Sequence, residues 1–136
     1  MYTVVLDTNV LISAIVFGGK PRNILERIIK GKIRLAVSES ILQEVKAVLD
    51  GNKFQYPPQL THTIISEIEA VSELVKPKKS IKAVGKDPDD NKFLECALEA
   101  GAHFIITGDM HLLELEIYKG VRIMNPADFL REMLKE

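Results

Sequence analysis

The chain has 136 residues, of which 46% are hydrophobic and 27% are charged, and its formal net charge is -1. This composition is typical of one soluble domain over residues 1–136, and the charge argues against a uniformly basic nucleic-acid binder. Cys96 is the single cysteine, which excludes an internal disulfide framework and a multi-cysteine zinc site. Because no apolar run is long enough to span a membrane and Met1 is not followed by a basic signal sequence, we expect a cytoplasmic protein without membrane contact.

The first half of the chain alternates between short apolar runs and amphipathic segments. The predicted elements are, in order, a strand over 2–6, a helix over 9–16, a helix from Pro21 to Gly31, a strand over 33–37, a helix after Ser38 and a long helix from Leu60 to Leu74. Glycines after the first two helices and Ser38 before the third are typical of helix ends and helix starts.

The second half continues this alternation. Its predicted elements are a strand near 81–84, a helix from Asp87-Pro88 to Gly101, strands over 104–106 and 121–124, and a closing helix over 126–134. Strands that are apolar throughout and separated by amphipathic helices predict a three-layer α/β/α sandwich with a parallel sheet of about five strands. In such folds ligands bind beyond the carboxyl ends of the strands.

Two aspartates follow predicted strands directly. Asp7 ends the apolar run that begins at Val4, and Asp109 follows the run that begins at Phe104. Burying an unpaired charge is costly, so each carboxylate needs a reason to lie there. Helix capping is one explanation, since aspartate binds the free N–H groups of a first helical turn. A functional site at the carboxyl edge of the sheet is the other, and each aspartate taken alone leaves both open.

Two further acids lie on the inward side of predicted helices. Glu44 lies on the edge of an apolar stripe in the helix after Ser38, where solvated glutamates are also common. In the run from Asp87 to Asp90, Asp87 precedes a proline and suits the helix N-cap. Asp90 continues the apolar face that includes Phe93, whereas Asp89 shares that face less well. Asp90 is therefore the acid that we expect to point inward.

The four acids that the pattern brings to one edge are Asp7, Glu44, Asp90 and Asp109. Four carboxylates in one depression cannot all remain ionised without a cation, because like charges and burial both raise their pKa values. Hard oxygen ligands without cysteine fit Mg²⁺ or Mn²⁺ and fit zinc poorly. Acidic clusters of this kind serve phosphoryl and phosphodiester chemistry.

The sequence resembles the PIN domain family, a compact nuclease fold that includes toxin ribonucleases of the VapC type and RNA-processing proteins. "VVLDTNVLIS" resembles the opening strand of the family with its first acid, Asp7, and "SESILQEV" resembles the segment with the second, Glu44. "DPDDNKFLECALEAGA" resembles the segment with the third acid, Asp90, and "FIITGD" resembles the strand that ends in Thr-x-Asp, with Asp109. The resemblance covers essentially the whole chain, and all four acidic positions are filled.

The resemblance implies a single nuclease domain over residues 1–136 and a metal-dependent endoribonuclease, in which a metal-activated water would attack phosphorus. The implied ligands of Mg²⁺ or Mn²⁺ are Asp7, Glu44, Asp90 and Asp109, with Asn9 and Thr107 as supporting polar groups and Asp89 as the reserve ligand. The implied partners are RNA, a cognate antitoxin if the chain is a toxin, and a second copy of the chain in a homodimer.

A group of lysines precedes the Asp90 segment: Lys76, Lys78, Lys79, Lys82 and Lys86. Lys79, Lys82 and Lys86 are candidate contacts for RNA phosphates, which would make binding sensitive to salt. The alternative is a solvated connection beside an edge strand, where lysines oppose aggregation. Because no aromatic residues are interleaved with the lysines, the pattern favours the alternative.

Aromatic and histidine residues outside these motifs have weaker patterns. Phe54 and Tyr56 could stack on bases, pack beneath their loop or join a subunit contact, and packing is favoured. The histidines His62, His103 and His111 lack metal-ligand spacing. His111 lies two residues beyond Asp109 and could approach substrate, but we expect it at the surface.

Two other functions remain open on the sequence. One is a non-catalytic PIN module that binds RNA or protein and leaves its acidic pocket unused. The other is an α/β phosphatase or phospho-acceptor domain. Enzymes of that class usually need a nucleophilic aspartate with a second acid two residues further on, and Asn9 stands at that position after Asp7. Metal-dependent cleavage that is lost in Asp7→Asn would separate the nuclease from a binding module.

Overall fold

The computed structural model of the protein describes residues 1–80 and 88–135. These residues form a mixed α/β fold in which helices flank a central, mostly parallel sheet. The strands among them are β1 (Thr3–Leu6), β2 (Arg34–Ser38), β3 (Ser72–Val75), β4 (Phe104–Ile106), β5 (Ile117–Tyr118) and β6 (Val121–Met124). The α-helices among them are α1 (Thr8–Ile12), α2 (Gly19–Ile29), α3 (Glu39–Asp50), α4 (Pro58–Ala70), α5 (Asn91–Ala100), α6 (Met110–Leu113) and α7 (Pro126–Leu134). A π-helical segment, Ser13–Phe17, continues α1, and a 3₁₀ turn, Pro88–Asp90, precedes α5.

The strand order of the sheet is β3-β2-β1-β4-β6-β5. All neighbouring pairs are parallel except β5 and β6. Leu6 of β1 pairs with Ile106 of β4, and the N–H of Asp7 donates to the carbonyl of Ile106 at 3.1 Å. This register brings the residues after β1 and the residues after β4 to the same edge of the sheet.

Helices cover both faces of the sheet. Val4 and Val5 of β1 are both fully buried, although neighbouring strand residues point to opposite faces. Burial on both sides explains why the strands are apolar throughout, and it confirms the predicted three-layer arrangement. Among residues 1–80 and 88–135, no helix has both the length and the apolar composition that crossing a membrane requires.

The long helix predicted up to Leu74 is shorter in the structure. The helix α4 ends at Ala70, and β3 follows as an edge strand that is parallel to β2. The hydroxyl of Ser72 donates to the carbonyl of Ile68, and pairing with β2 extends the backbone beyond this point. Val71 and Leu74 fit a helical stripe by spacing, so the prediction failed because strand pairing outweighed a local pattern. The strand predicted near 81–84 lies outside the described residues.

The sheet has one antiparallel edge that the sequence prediction lacks. The strand β5 pairs with β6 through a tight turn at Lys119 and Gly120, whose φ angles are 47° and 87°. Two successive residues with positive φ are typical of a two-residue hairpin, and a glycine favours such a turn. The Lys-Gly pair between apolar residues is the sequence signal for this hairpin. The predicted parallel sheet of about five strands is therefore present, and a short antiparallel strand extends it at this edge.

Candidate functional site

Asp7 is buried at the carboxyl end of β1, where only 4% of it is exposed. Its Oδ1 accepts a hydrogen bond from the N–H of Val10 at 2.8 Å, so the side chain caps α1. Its Oδ2 accepts a hydrogen bond from the hydroxyl of Thr107. The capping explanation is therefore correct for one oxygen, while the other oxygen faces the end of β4.

The environment of Asp7 disfavours its charged form. Burial raises the pKa of Asp7, and the nearby charge of Asp109 raises it further. The hydroxyl of Thr107 and the N–H groups of Val10 and Gly108 act in the opposite direction without cancelling the effect of burial on the pKa. A cation placed beside Asp7 and Asp109 would relieve this cost, because it favours both carboxylates in their ionised form.

Thr107 joins the first and last acids of the site. It is fully buried, its Oγ1 donates to Oδ2 of Asp7, and the same oxygen accepts the N–H of Asp109 at 2.9 Å. One hydroxyl therefore sets the orientation of Asp7 and the path of the backbone into Asp109. The position of Thr107 agrees with the predicted supporting group, although its functional role stays a prediction.

Asp90 and Asp109 lie close together, and His111 lies with them. One ligand atom from each of these three side chains lies within 4.8 Å of the other two. Asp109 caps α6 by accepting the N–H of His111 at 2.8 Å, which holds the backbone of His111 beside the carboxylate. Asp90 is buried, as the helical pattern predicts, with 8% of it exposed. Asp109 and His111 are partly exposed, so the group opens to solvent.

Sequence reasoning placed His111 at the surface, and the structure places it half-buried in this group. The spacing Asp-x-His directly after a strand was the available signal. Asp109 caps a helix whose second residue is His111, so the two side chains share one turn of backbone. His111 is partly exposed, as its expected surface position requires, and sequence reasoning missed only its proximity to Asp90 and Asp109.

Glu44 is predicted as a metal ligand, and in the structure its carboxylate is paired with Lys92. Its carboxylate accepts a hydrogen bond from the ammonium group of Lys92 and forms an ion pair with it. Among the described residues, the group able to share one ion is formed by Asp90, Asp109 and His111. The role of Glu44 as a metal ligand therefore stays a prediction, which requires the carboxylate to leave or share Lys92.

The remaining predicted positions are exposed or lie outside the described residues. Asn9, Asp89 and Lys79 are exposed. Lys82, Lys86 and Asp87, predicted as two phosphate contacts and an N-cap, lie outside the described residues. Lys76 to Lys79 directly follow β3, which is an edge strand, and this placement fits the solvated alternative.

The aromatic residues of the α3–α4 loop pack against each other. The ring centroids of Phe54 and Tyr56 are 5.9 Å apart, and those of Phe54 and Phe17 are 6.2 Å apart. Phe54 and Tyr56 are half-buried, in agreement with the packing that the sequence favours. The other two histidines have ordinary placements, because His62 is exposed and Nδ1 of His103 accepts the N–H of Thr3 at 3.0 Å.

The donor chemistry of the site fits a divalent cation such as Mg²⁺ or Mn²⁺. Carboxylate oxygens come from Asp90 and Asp109, and Asp7, whose pKa is raised by burial, is joined to Asp109 through Thr107. Thiolate chemistry is excluded at Cys96, because burial raises the pKa of its thiol to about 12 despite a hydrogen bond with Ser38. The residues present would therefore hold an ion through oxygen ligands, with one imidazole nitrogen beside them.

The fold and the site define an α/β protein with acidic side chains gathered at the carboxyl edge of a mostly parallel sheet. A family model described as PIN domain matches residues 3–111. The chain belongs to the PIN domain family. This membership confirms the resemblance that the four acidic motifs indicate. A comparison with curated protein sequences finds no match.

The solved structures with a similar fold include VapBC proteins from three bacteria. VapBC2 from Rickettsia felis, bound to a DNA fragment from their promoter, matches with a TM-score of 0.62 and 14% identity over 90% of this chain and 98% of that chain. DNA-bound VapBC from Salmonella typhimurium matches with a TM-score of 0.62 and 17% identity over 93% and 99%. VapBC-1 from nontypeable Haemophilus influenzae matches with a TM-score of 0.60 and 18% identity over 92% and 98%. At these identities the likeness establishes the fold alone.

Proposed function

We propose that the chain is a metal-dependent endoribonuclease that hydrolyses RNA phosphodiester bonds. One observation carries this proposal: Asp7 and Asp109 are joined through Thr107, and Asp109 lies beside Asp90, at one edge of the sheet. Burial and the nearby charge of Asp109 raise the pKa of Asp7, and a bound cation would favour its ionised form. Membership of the PIN domain family supports the same chemistry.

The proposed ligands are the four predicted acids, of which Asp90 and Asp109 each place an oxygen within 4.8 Å of the other. When bound, Mg²⁺ or Mn²⁺ would neutralise charge on the phosphate and make a nearby water more acidic. Asp7 would keep its capping contact with Val10 while its other oxygen faces the ion. Thr107 would hold its proton on Oγ1 toward Asp7 and so fix the carboxylate in one orientation. Glu44 would bind the ion only if its carboxylate gave up the ion pair with Lys92.

The proposed biological role is that of a VapC-type toxin whose partner is a cognate antitoxin. The three structural neighbours are VapBC proteins, and this supports the role by analogy of fold. An RNA-processing nuclease is the alternative role for the same activity. The RNA substrate, a homodimer and a cytoplasmic location belong to this proposal, and so do phosphate contacts from Lys79, Lys82 and Lys86.

The competing function is a PIN module that binds RNA or protein without cleaving it. The partial exposure of Asp109 and His111 is compatible with either function, because it admits a ligand as well as a substrate. The phospho-acceptor alternative is less well supported, since Asn9 is exposed and supplies no second acid beside Asp7.

The decisive experiment incubates the purified chain with a structured RNA and a single-stranded RNA, in Mg²⁺, in Mn²⁺ and in a chelator. We expect cleavage with either ion, none with the chelator, and a loss of at least about 100-fold in Asp7→Asn. Asp50→Asn is the matched control, because Asp50 is exposed at the far end of α3 and pairs with Lys46. RNA binding without cleavage by the unaltered chain would support the binding module instead.

The toxin role needs a separate test. The reading frames on either side of the coding sequence should include a small protein that binds this chain and suppresses its cleavage of RNA. Co-purification of the two proteins, and inhibition of cleavage at equimolar ratio, are the expected results. A nuclease that no neighbouring product binds or inhibits would be assigned to RNA processing.

A further inference from the structure

His111 lies beside two acids of the proposed site and adds a nitrogen donor to them. One nitrogen of its imidazole and one oxygen from each of Asp90 and Asp109 lie within 4.8 Å of one another. Two ligands of one ion, bound at about 2.0 to 2.3 Å, are separated by about 3 Å in neighbouring positions and about 4.5 Å in opposite ones. The three donors are therefore near the separations that a shared ion imposes.

The backbone after β4 turns the imidazole toward the acids. Asp109 is the N-cap of α6 and His111 is the second residue of that helix. Because helical side chains tilt toward the N-terminus, the ring of His111 lies over the capping carboxylate. Its Nδ1 is 3.9 Å from Oδ1 of Asp109, which is too long for a hydrogen bond. The His111 side chain is 41% exposed, so ions from solvent can reach it.

A nitrogen ligand changes which ion a carboxylate site prefers. Mg²⁺ binds oxygen ligands in strict octahedral geometry and retains several waters, whereas divalent transition metals such as Mn²⁺ and Co²⁺ accept an imidazole nitrogen more readily. We propose that His111 is a nitrogen ligand of the site and makes it select Mn²⁺ or Co²⁺ over Mg²⁺. This inference rests on the proposed function, and it adds a ligand and a metal preference that the four acids do not provide.

The test measures metal binding alone, without RNA. The full chain is stripped with a chelator and titrated calorimetrically with MgCl₂, MnCl₂ and CoCl₂. We expect the unaltered chain to bind Mn²⁺ at least about tenfold more tightly than Mg²⁺, and His111→Ala to lose about 10- to 100-fold in affinity for Mn²⁺ and Co²⁺. The affinity of this variant for Mg²⁺ should change by less than about threefold, because oxygen ligands dominate Mg²⁺ binding.

Two controls make the result specific to this histidine. His62→Ala removes an exposed histidine on α4 and should leave all three affinities unchanged. The visible absorption of the Co²⁺ complex should change in His111→Ala and stay unchanged in His62→Ala, because it responds to a nitrogen ligand. If His111→Ala fails to fold by circular dichroism, His111→Gln keeps a polar side chain of similar length and receives the same titrations.

The proposal is overturned if the affinity of the His111 variants for Mn²⁺ equals that of the unaltered chain. It is also overturned if the affinities for Mn²⁺ and Mg²⁺ fall together, since His111 would then orient Asp109 rather than bind the ion. The proposed function fails by a different result, namely RNA cleavage that persists in chelator or is absent with every ion. If RNA cleavage requires a metal ion but the His111 variants bind Mn²⁺ as tightly as the unaltered chain, only the inference about His111 is rejected and the proposed function stands.

Discussion

The ammonium group of Lys92 on α5 binds the carboxylate of Glu44 on α3. The Lys92 side chain is 17% exposed and the Glu44 side chain is 32% exposed, so solvent screens the pair only in part. Glu44 is the acid that the sequence predicts as a metal ligand from α3. Lys92 therefore compensates the charge of this acid within the protein, and an ion at Glu44 would compete with it.

A double-mutant cycle on this pair tests the prediction for Glu44. In metal-free protein we expect Glu44→Gln and Lys92→Met to show a coupling of about 1 kcal/mol in the free energy of unfolding, as for partly shielded ion pairs. If Glu44 binds the ion, saturating Mn²⁺ should reduce this coupling. Urea denaturation with and without Mn²⁺ measures both values, and a coupling that Mn²⁺ leaves unchanged would remove Glu44 from the ligands.

Asp7 should destabilise the metal-free protein at neutral pH. Burial raises the pKa of Asp7, so the folded protein holds this proton more tightly than the unfolded chain. The contribution of Asp7 to stability is therefore greatest at low pH, and it falls as the pH rises from the unfolded-state pKa toward the folded-state pKa. Asp7→Asn keeps the helix cap, and because asparagine does not ionise, it removes the loss of stability that accompanies the rise in pH.

We expect Asp7→Asn to be more stable than the unaltered chain by about 1 kcal/mol at pH 7 in chelator, the size usual for relief of strain at a functional site. The difference should shrink as the pH is lowered. Thermal unfolding between pH 4 and pH 8 measures it. Greater stability of the unaltered chain across this range would show that the donors from Thr107 and Val10 outweigh burial.

The hydroxyl of Thr107 should contribute to stability as well as to the site. Thr107→Val preserves the shape and leaves Asp7 and the N–H of Asp109 without their shared partner. Loss of buried hydrogen bonds of this kind costs about 1 to 3 kcal/mol in the free energy of unfolding. Thr107→Ser retains the hydroxyl and should lose about 1 kcal/mol through its missing methyl group. Urea denaturation of both variants measures these losses, and a loss below about 0.5 kcal/mol in Thr107→Val would show that the shared hydroxyl contributes little to stability.

Cys96 should be inert to thiol reagents in the folded protein. Burial raises the pKa of its thiol from 9.0 to about 12, which lowers the thiolate fraction at pH 8 by about a thousandfold. We expect a chromogenic disulfide reagent to modify Cys96 only at the rate of unfolding, and fully in denaturant. Rapid modification of the native chain would mean that the face of α5 bearing Cys96 opens locally.

Local patterns in the sequence were sufficient for most of the secondary structure. β4, β6 and α7 have the predicted bounds because apolar runs and flanking caps are properties of adjacent residues. Ser38 caps α3 as its position indicates. The helix predicted up to Leu74 failed because it too relied on a local pattern. The residues of β3 fit a helical spacing and become a strand only by pairing with β2.

The sequence by itself determined the family and the layered α/β class, because each depends on short motifs and their order, and it predicted four acidic ligands. The tertiary structure decided which side chains meet. Thr107 reaches Asp7 across 100 positions, and Lys92 reaches Glu44 across 48. His111 joins Asp90 for the same reason: the order of strands in the sheet brings distant segments to one edge, and a linear pattern does not encode that order.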